Sequence, residues 1–251
     1  MKEVLEYIQT KKQEFAQSPF IQYLQDKSIH PRQRLAWAPC FTPFAMCFKD
    51  FNALTLRKEP ANSKIQQMIN QHTYEDGRHW KWFLQDMKLL GFDNQYNFTD
   101  VLKFVWGEDT KNVRLMAYNL FGMCSFEEDL LMKLVIIESI EVTGNVALYE
   151  TGLVAEELKQ ITKQHHPYFA HSHYAVETGH IQSDMDIDDI ENFLNDIQLT
   201  QAQKEKAFIL VDRVFSDFLI ATNEMLDFAI KYPVDTSFIN TKSVDRKLSM
   251  V

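Results

Sequence analysis

Apolar residues recur at helical intervals along most of the chain. Residues 2–27 carry Val4, Leu5, Ile8, Phe15, Phe20 and Leu24 at helical spacings, which predicts an amphipathic helix. Pro31 suits the first turn of a second helix over 31–56, whose middle (RLAWAPCFTPFAMCF) is apolar nearly all round and belongs in the interior. Pro39 and Pro43 should kink it, because each removes a backbone donor and crowds the preceding turn. A kinked, buried aromatic helix either borders a cavity or bends to fit the core. Asn62 or Ser63 can cap a third helix reaching about Leu90, with Gly91 as a left-handed terminator. Two shorter helices, 99–106 and 110–123, break near Gly107. Ser125 and Glu128 have the spacing of a capping box and predict a helix through about Glu157. Pro167 opens another helix, 188–198 reads as a short one, and the Thr200/Gln203 box starts a last long helix to about Tyr232. The pattern predicts one all-α domain of about seven to nine helices over 1–232, followed by a polar tail, 233–251.

Composition narrows this picture. Of 251 residues, 45% are hydrophobic while Gly and Pro number only seven each, which favours helices over a sheet with many tight turns. A net charge of −9 argues against nucleic acid as the main partner, since phosphate binding needs a basic surface. Cys40, Cys47 and Cys124 lie in apolar surroundings without CxxC pairing, which predicts reduced, buried thiols and a cytoplasmic protein. The polar N-terminus does not read as a signal peptide, and no apolar run has the length of a membrane span.

The candidate chemistry lies in the histidines. All eight except His30 fall in two neighbourhoods, 71–80 (QHTYEDGRHW) and 165–180. Within PYFAHSHYAVETGH, His173, Glu177 and His180 repeat at four and then three, within about 60° on one helical face. Two imidazoles and a carboxylate on one stripe suit a first-row transition metal. Upstream, His72 and His79 are seven apart and share a face within about 20°, with Glu75 and Asp76 between them. Spacing leaves open which of His72, Glu75 and Asp76 would bind. Glu138 and Glu141 sit one turn apart inside an apolar run, where a carboxylate must be paired, protonated or metal-bound. Three helices thus offer acids and histidines to one interior point, as a carboxylate-bridged di-metal site requires. His165, His166 and His171 read as surface residues or supports of the ligands, and His30 as a helix-start residue. If these polar groups are instead hydrogen-bonded and solvated, the chain is a non-catalytic helical binding protein.

The pattern His-x3-Glu-x2-His at 173–180 resembles the His-x3-Asp-x2-His motif of the haem-oxygenase-like di-iron oxidases, the group related to the chlamydial death-domain-associating protein. Glu141, 32 positions before His173, is similar to that family's upstream glutamate, and His79 with Asp76 and Glu75 to its earlier acid-and-histidine helix. The resemblance implies a haem-oxygenase-like (TENA/THI-4-like) helical bundle holding two irons per chain, with manganese as an alternative. It implies His72, Asp76, His79, Glu141, His173, Glu177 and His180 as metal residues, and Glu75 and Glu138 as further ligands or their supports. Two departures stand out: Glu177 replaces the more usual Asp, and His72 stands where some members place a glutamate. Reduced iron held there would react with dioxygen and oxidise a small, partly apolar organic substrate. Trp37, Phe41, Phe44 and Met46 are candidate cavity walls. A homodimer is a further expectation, and neither nucleic acid nor membrane is an expected partner. The same fold also houses metal-free enzymes, the aminopyrimidine hydrolases and the oxidase of pyrroloquinoline quinone synthesis, which give the alternative reading. No cysteine here matches the hydrolases' nucleophile.

Overall fold

The apolar run LVIIESIEV lies in a helix that packs against helices from both halves of the chain. The computed structural model describes residues 1–93, 95–177 and 193–236, with the side chains of Val176 and Glu177 outside that description. In chain order, α1 (Lys2–Phe15), α2 (Pro19–Gln25) and α3 (Pro31–Arg34) lead to a 3-10 turn (Ala38–Phe41), α4 (Thr42–Phe51) and a π turn (Asn52–Leu56). Then come α5 (Lys64–Asp76), α6 (His79–Leu89), α7 (Phe98–Val105), a 3-10 turn (Glu108–Thr110) and α8 (Lys111–Phe126). The long α9 (Leu130–Thr162) and α10 (His171–Glu177) follow, and after a helical turn at 193–196 comes α11 (Gln201–Lys231). The described residues contain no strand, and no described helix is long and apolar enough to cross a membrane.

Helix α9 buries residues on most of its circumference, among them Leu134, Val135, Ile136, Ile140, Thr143 and Val154, so it cannot be a surface helix. It packs against α1, α2, α3, α5, α10 and α11. The other long helix, α11, closes the bundle against α1, α2, α8 and α9.

Several expected helices are interrupted, each for a local reason. Helix 2–27 divides at Ser18-Pro19, where Pro19 opens α2 in its first turn. The expected kinked helix 31–56 is a series of short elements rather than one bent rod. Pro39 and Pro43 each begin an element, where the missing N–H costs nothing. Ser63 caps α5, accepting from Gln66 N–H at 3.2 Å, but the helix stops at Asp76 and α6 starts afresh at His79 after Gly77-Arg78. Gly91, with φ 79°, takes the left-handed conformation just past α6. The Ser125/Glu128 box does not form. Ser125 continues α8, and Asp129 caps α9 by accepting from Leu131 N–H at 2.9 Å. Pro167 lies in a turn, and α10 begins four residues later at His171. The Thr200/Gln203 box forms as expected and caps α11.

The first tail residues are tied down: Val234 N–H donates to Gln33 Oε1 at 2.8 Å, and Arg32 Nη1 donates to the Asp235 carbonyl. Residues 237–251, and positions 188–192 of the expected 188–198 helix, lie outside the described residues; in the described remainder of that helix, 193–196 are helical.

Candidate metal centre

The break between α5 and α6 shapes the centre. Asp76 is the last residue of α5 and His79 the first of α6, so the two histidines do not share one continuous stripe. They meet through the carboxylate between them. Asp76 Oδ2 lies 2.9 Å from His72 Nε2, while Asp76 Oδ1 lies 3.8 Å from His79 Nδ1. Asn52, buried in the π turn, donates its Nδ2 to Asp76 Oδ2 at 3.5 Å. From α9, Glu141 Oε1 comes within 3.6 Å of His72 Nε2. One donor atom each from His72, Asp76 and Glu141 falls within 4.8 Å of the others, a spacing that a single ion could bridge.

His173 is brought to this group by α10. It is buried, and its ring centroid lies 4.4 Å from that of His79 in an edge-to-face arrangement. Trp82 stacks on His79 at 4.9 Å and meets His173 edge-on at 5.3 Å, so both imidazoles are held by an indole. His173 Nδ1 contacts the Tyr168 carbonyl at 2.7 Å. A carbonyl can only accept, so Nδ1 carries the proton and the ring's lone pair sits on Nε2. Helix α10 reaches this position because α9 presents Gly152 to it. A Cβ there would come 2.7 Å from His171 Nδ1.

Of the sequence-predicted residues, His72, Asp76, Glu141, His79 and His173 thus lie in one neighbourhood. Glu75 accepts from Gln71 Nε2 at 3.3 Å along its own helix and is outside the three-residue convergence. Glu138 is half-buried one turn before Glu141. Burial pushes its carboxyl pKa up, and the nearby His72 works against that shift. The Glu177 side chain and His180 lie outside the described residues.

Beside these groups opens a cavity of about 110 Å³, lined by Trp37, Phe41, Phe44, Phe48, Ile140 and Phe218 and reaching Asp76, His79, Glu141 and His173. It is on the scale of cavities that stay dry and take up benzene, about 150 Å³. Met46 is not part of this wall. It is 37% exposed, because the face of α4 that carries it looks to solvent while Phe44 and Ala45 look inward.

Three groups important to the site carry no pattern of their own in the sequence: Asn52, Tyr168 and Asp86. Asp86 could have been suspected only from its place two turns after His79 on α6. It is fully buried, and its Oδ2 accepts from Tyr168 N–H at 2.9 Å and Phe169 N–H at 3.0 Å. Burial raises its pKa to about 8 in spite of those two donors. His166, expected at the surface or as a support of the ligands, is 1% exposed, which removes the surface reading, and desolvation lowers its pKa to about 4.

These two buried groups give a pH signature of opposite signs. Asp86 binds its proton more tightly folded than unfolded, so its contribution is complete below about pH 4 and is lost as pH rises through about 8. His166 is depressed, so its contribution is present above about 6.5 and is lost as pH falls through about 4. Between about pH 4 and 6.5 the two slopes oppose each other. Between about 6.5 and 8 only Asp86 acts, at up to about 1.4 kcal/mol per pH unit. Urea unfolding of wild type and Asp86→Asn at pH 6.5 and 8 is expected to show wild type losing stability across that interval relative to the variant. Parallel curves would refute this.

The three thiols do not look like nucleophiles. Burial pushes Cys47 and Cys124 up to about 12 and Cys40 higher still, and none lines the cavity.

No protein-family model matches the sequence, and no curated protein matches it. Among solved structures the chain is similar to a domain of unknown function with a heme oxygenase-like fold from Shewanella denitrificans OS217. The identity is 13% and the TM-score 0.60, over 90% of this chain and 91% of that one. The architecture is therefore all-α and haem-oxygenase-like. At this identity the likeness extends to the fold alone.

Proposed function

We propose that the protein is a non-haem di-iron, or other di-metal, oxidase that uses dioxygen on a small, partly apolar organic substrate. The observation that carries this reading is the buried Asp76 carboxylate. Its two oxygens face two different histidines, with Glu141 and His173 close by, at the end of an aromatic cavity. The donor set fits the metal: imidazole and carboxylate together suit iron or manganese, and the carboxylates can shift between terminal and bridging modes. His72, Asp76 and Glu141 would hold one ion, with Asp76 shared toward His79 and His173. Glu177 and His180 would complete the set. When bound, iron supplies the activation of dioxygen. The chain's own part is to position and to exclude. Trp37, wedged edge-on between Phe20 at 5.2 Å and Phe169 at 5.5 Å, makes a stiff wall that holds an apolar substrate and keeps water from the metals. Glu138, whose carboxyl pKa burial pushes up, lies one turn before Glu141 and would support that ligand.

The test is metal per chain. Loaded anaerobically with ferrous iron and desalted, the wild type is expected to retain about two irons, and Glu141→Ala about one. Absence of iron from the wild type would overturn the proposal and turn attention to organic ligands of a metal-free cavity.

A further inference from the structure

We propose that Asp86 is a positioning residue for the metal centre, holding the turn whose carbonyl orients His173. The connection runs through a chain of hydrogen bonds. From α6, Asp86 Oδ2 accepts both Tyr168 N–H and Phe169 N–H, which pins the turn entering α10 to the helix that begins with His79. Within that turn Ala170 N–H donates to the His166 carbonyl at 2.8 Å, and His173 N–H to the Ala170 carbonyl at 2.9 Å, so it moves as a unit with the start of α10. The Tyr168 carbonyl then takes the Nδ1 proton of His173. One buried side chain therefore sets the height of α10 against α6, the tautomer of His173 and the direction of its Nε2. Edge-to-face packing of Phe83 on Tyr168, at 5.2 Å, supports the same alignment from one turn earlier on α6.

A carboxyl oxygen is needed here rather than bulk. It accepts two N–H groups that a helix entrance would otherwise leave buried and unmet. Its neutral form is matched by an amide, so Asp86→Asn should preserve the arrangement and Asp86→Ala should not.

The inference rests on His173 serving the metal centre, but its first readout needs no metal. Nitrogen NMR of the metal-free, full-length protein should show His173 protonated at Nδ1 in wild type and Asp86→Asn, and a mixed or reversed tautomer in Asp86→Ala. Cobalt(II) titration gives the second readout. Asp86→Ala should bind about 10–100-fold more weakly, with an altered visible spectrum, while Asp86→Asn keeps the wild-type values. An unchanged tautomer in a folded Asp86→Ala would overturn the proposal. Should Asp86→Ala fail to fold, Asp86→Asn decides: a lost Nδ1–H tautomer there overturns it, and a retained one upholds it. If the wild type takes up no cobalt, the metal reading fails, and the tautomer comparison alone decides whether Asp86 positions His173.

Discussion

Asp76→Asn is expected to empty both metal positions, whereas His72→Ala should empty one. The difference follows from geometry. The Asp76 side chain is fully buried, and its oxygens face two histidines, His72 on its own helix and His79 across the break at Gly77. Asparagine keeps the shape, and its amide can still meet Asn52 or His72. It has no charge and only one ligating oxygen, so it cannot serve two ions. Changes one layer away from a metal already cost about 10–100-fold in affinity, and losing a shared ligand should exceed the upper figure. His72 touches only one side of the carboxylate, so its removal leaves Asp76, His79 and His173 in place. Elemental analysis for iron, and separately for manganese, with circular dichroism to confirm folding, reads both variants. A wild-type metal count in folded Asp76→Asn would remove the shared-carboxylate reading. An equal loss in both variants would mean that the two positions fill only together.

The histidine-bearing stripes were legible in the sequence because their chemistry is local: imidazoles and acids at helical spacing announce themselves before any fold is known. Even so, the geometry that joins them was not. Spacing alone put His72 and His79 on one continuous helix, and the break at Gly77-Arg78 instead turns His79 back toward Asp76. That rearrangement singles out Asp76 among the acids left open by spacing, while Glu75 bonds along its own helix. Breaks were the general weakness. Apolar periodicity runs unbroken across Ser18-Pro19 and through Pro39 and Pro43, yet each proline starts a new element. At 125–129 the expected Ser125/Glu128 box gave way to a cap at Asp129. Asp129 won because its own carboxylate reaches Leu131 N–H, and Glu127 accepts from Asp129 N–H at 3.0 Å, so the chain turns there. Asp86 was out of reach for a different reason. Its partners are backbone groups more than eighty residues away, and backbone donors leave no mark in a sequence.

The largest loss of stability from a single substitution away from the metal residues should come from Arg34→Ala. Arg34 is 1% exposed at the end of α3, and its guanidinium ties α2, the loop before α3 and α9 together. Nη1 donates to the Leu24 carbonyl near the end of α2 at 2.8 Å, Nε donates to the Ile29 carbonyl at 3.0 Å, and Nη2 pairs with Glu157 on α9. Alanine would leave these acceptors unmet beside a cavity, so the cost should approach the roughly 3–5 kcal/mol seen when one partner of a buried pair is removed. Glu157 is different, because its side chain is 35% exposed and water can replace what it loses. Glu157→Gln should therefore cost about 1 kcal/mol or less. Arg34→Met, which fills the volume without the donors, should fall between the two and so separate packing from hydrogen bonding. Urea unfolding of the three variants provides the comparison, and an Arg34→Ala within about 1 kcal/mol of wild type would refute it. The consequence reaches the site, since α3 leads within three residues to Trp37. If the clasp fixes that wall, a folded Arg34→Met should also admit water to the cavity, seen as a red-shifted tryptophan emission relative to Glu157→Gln.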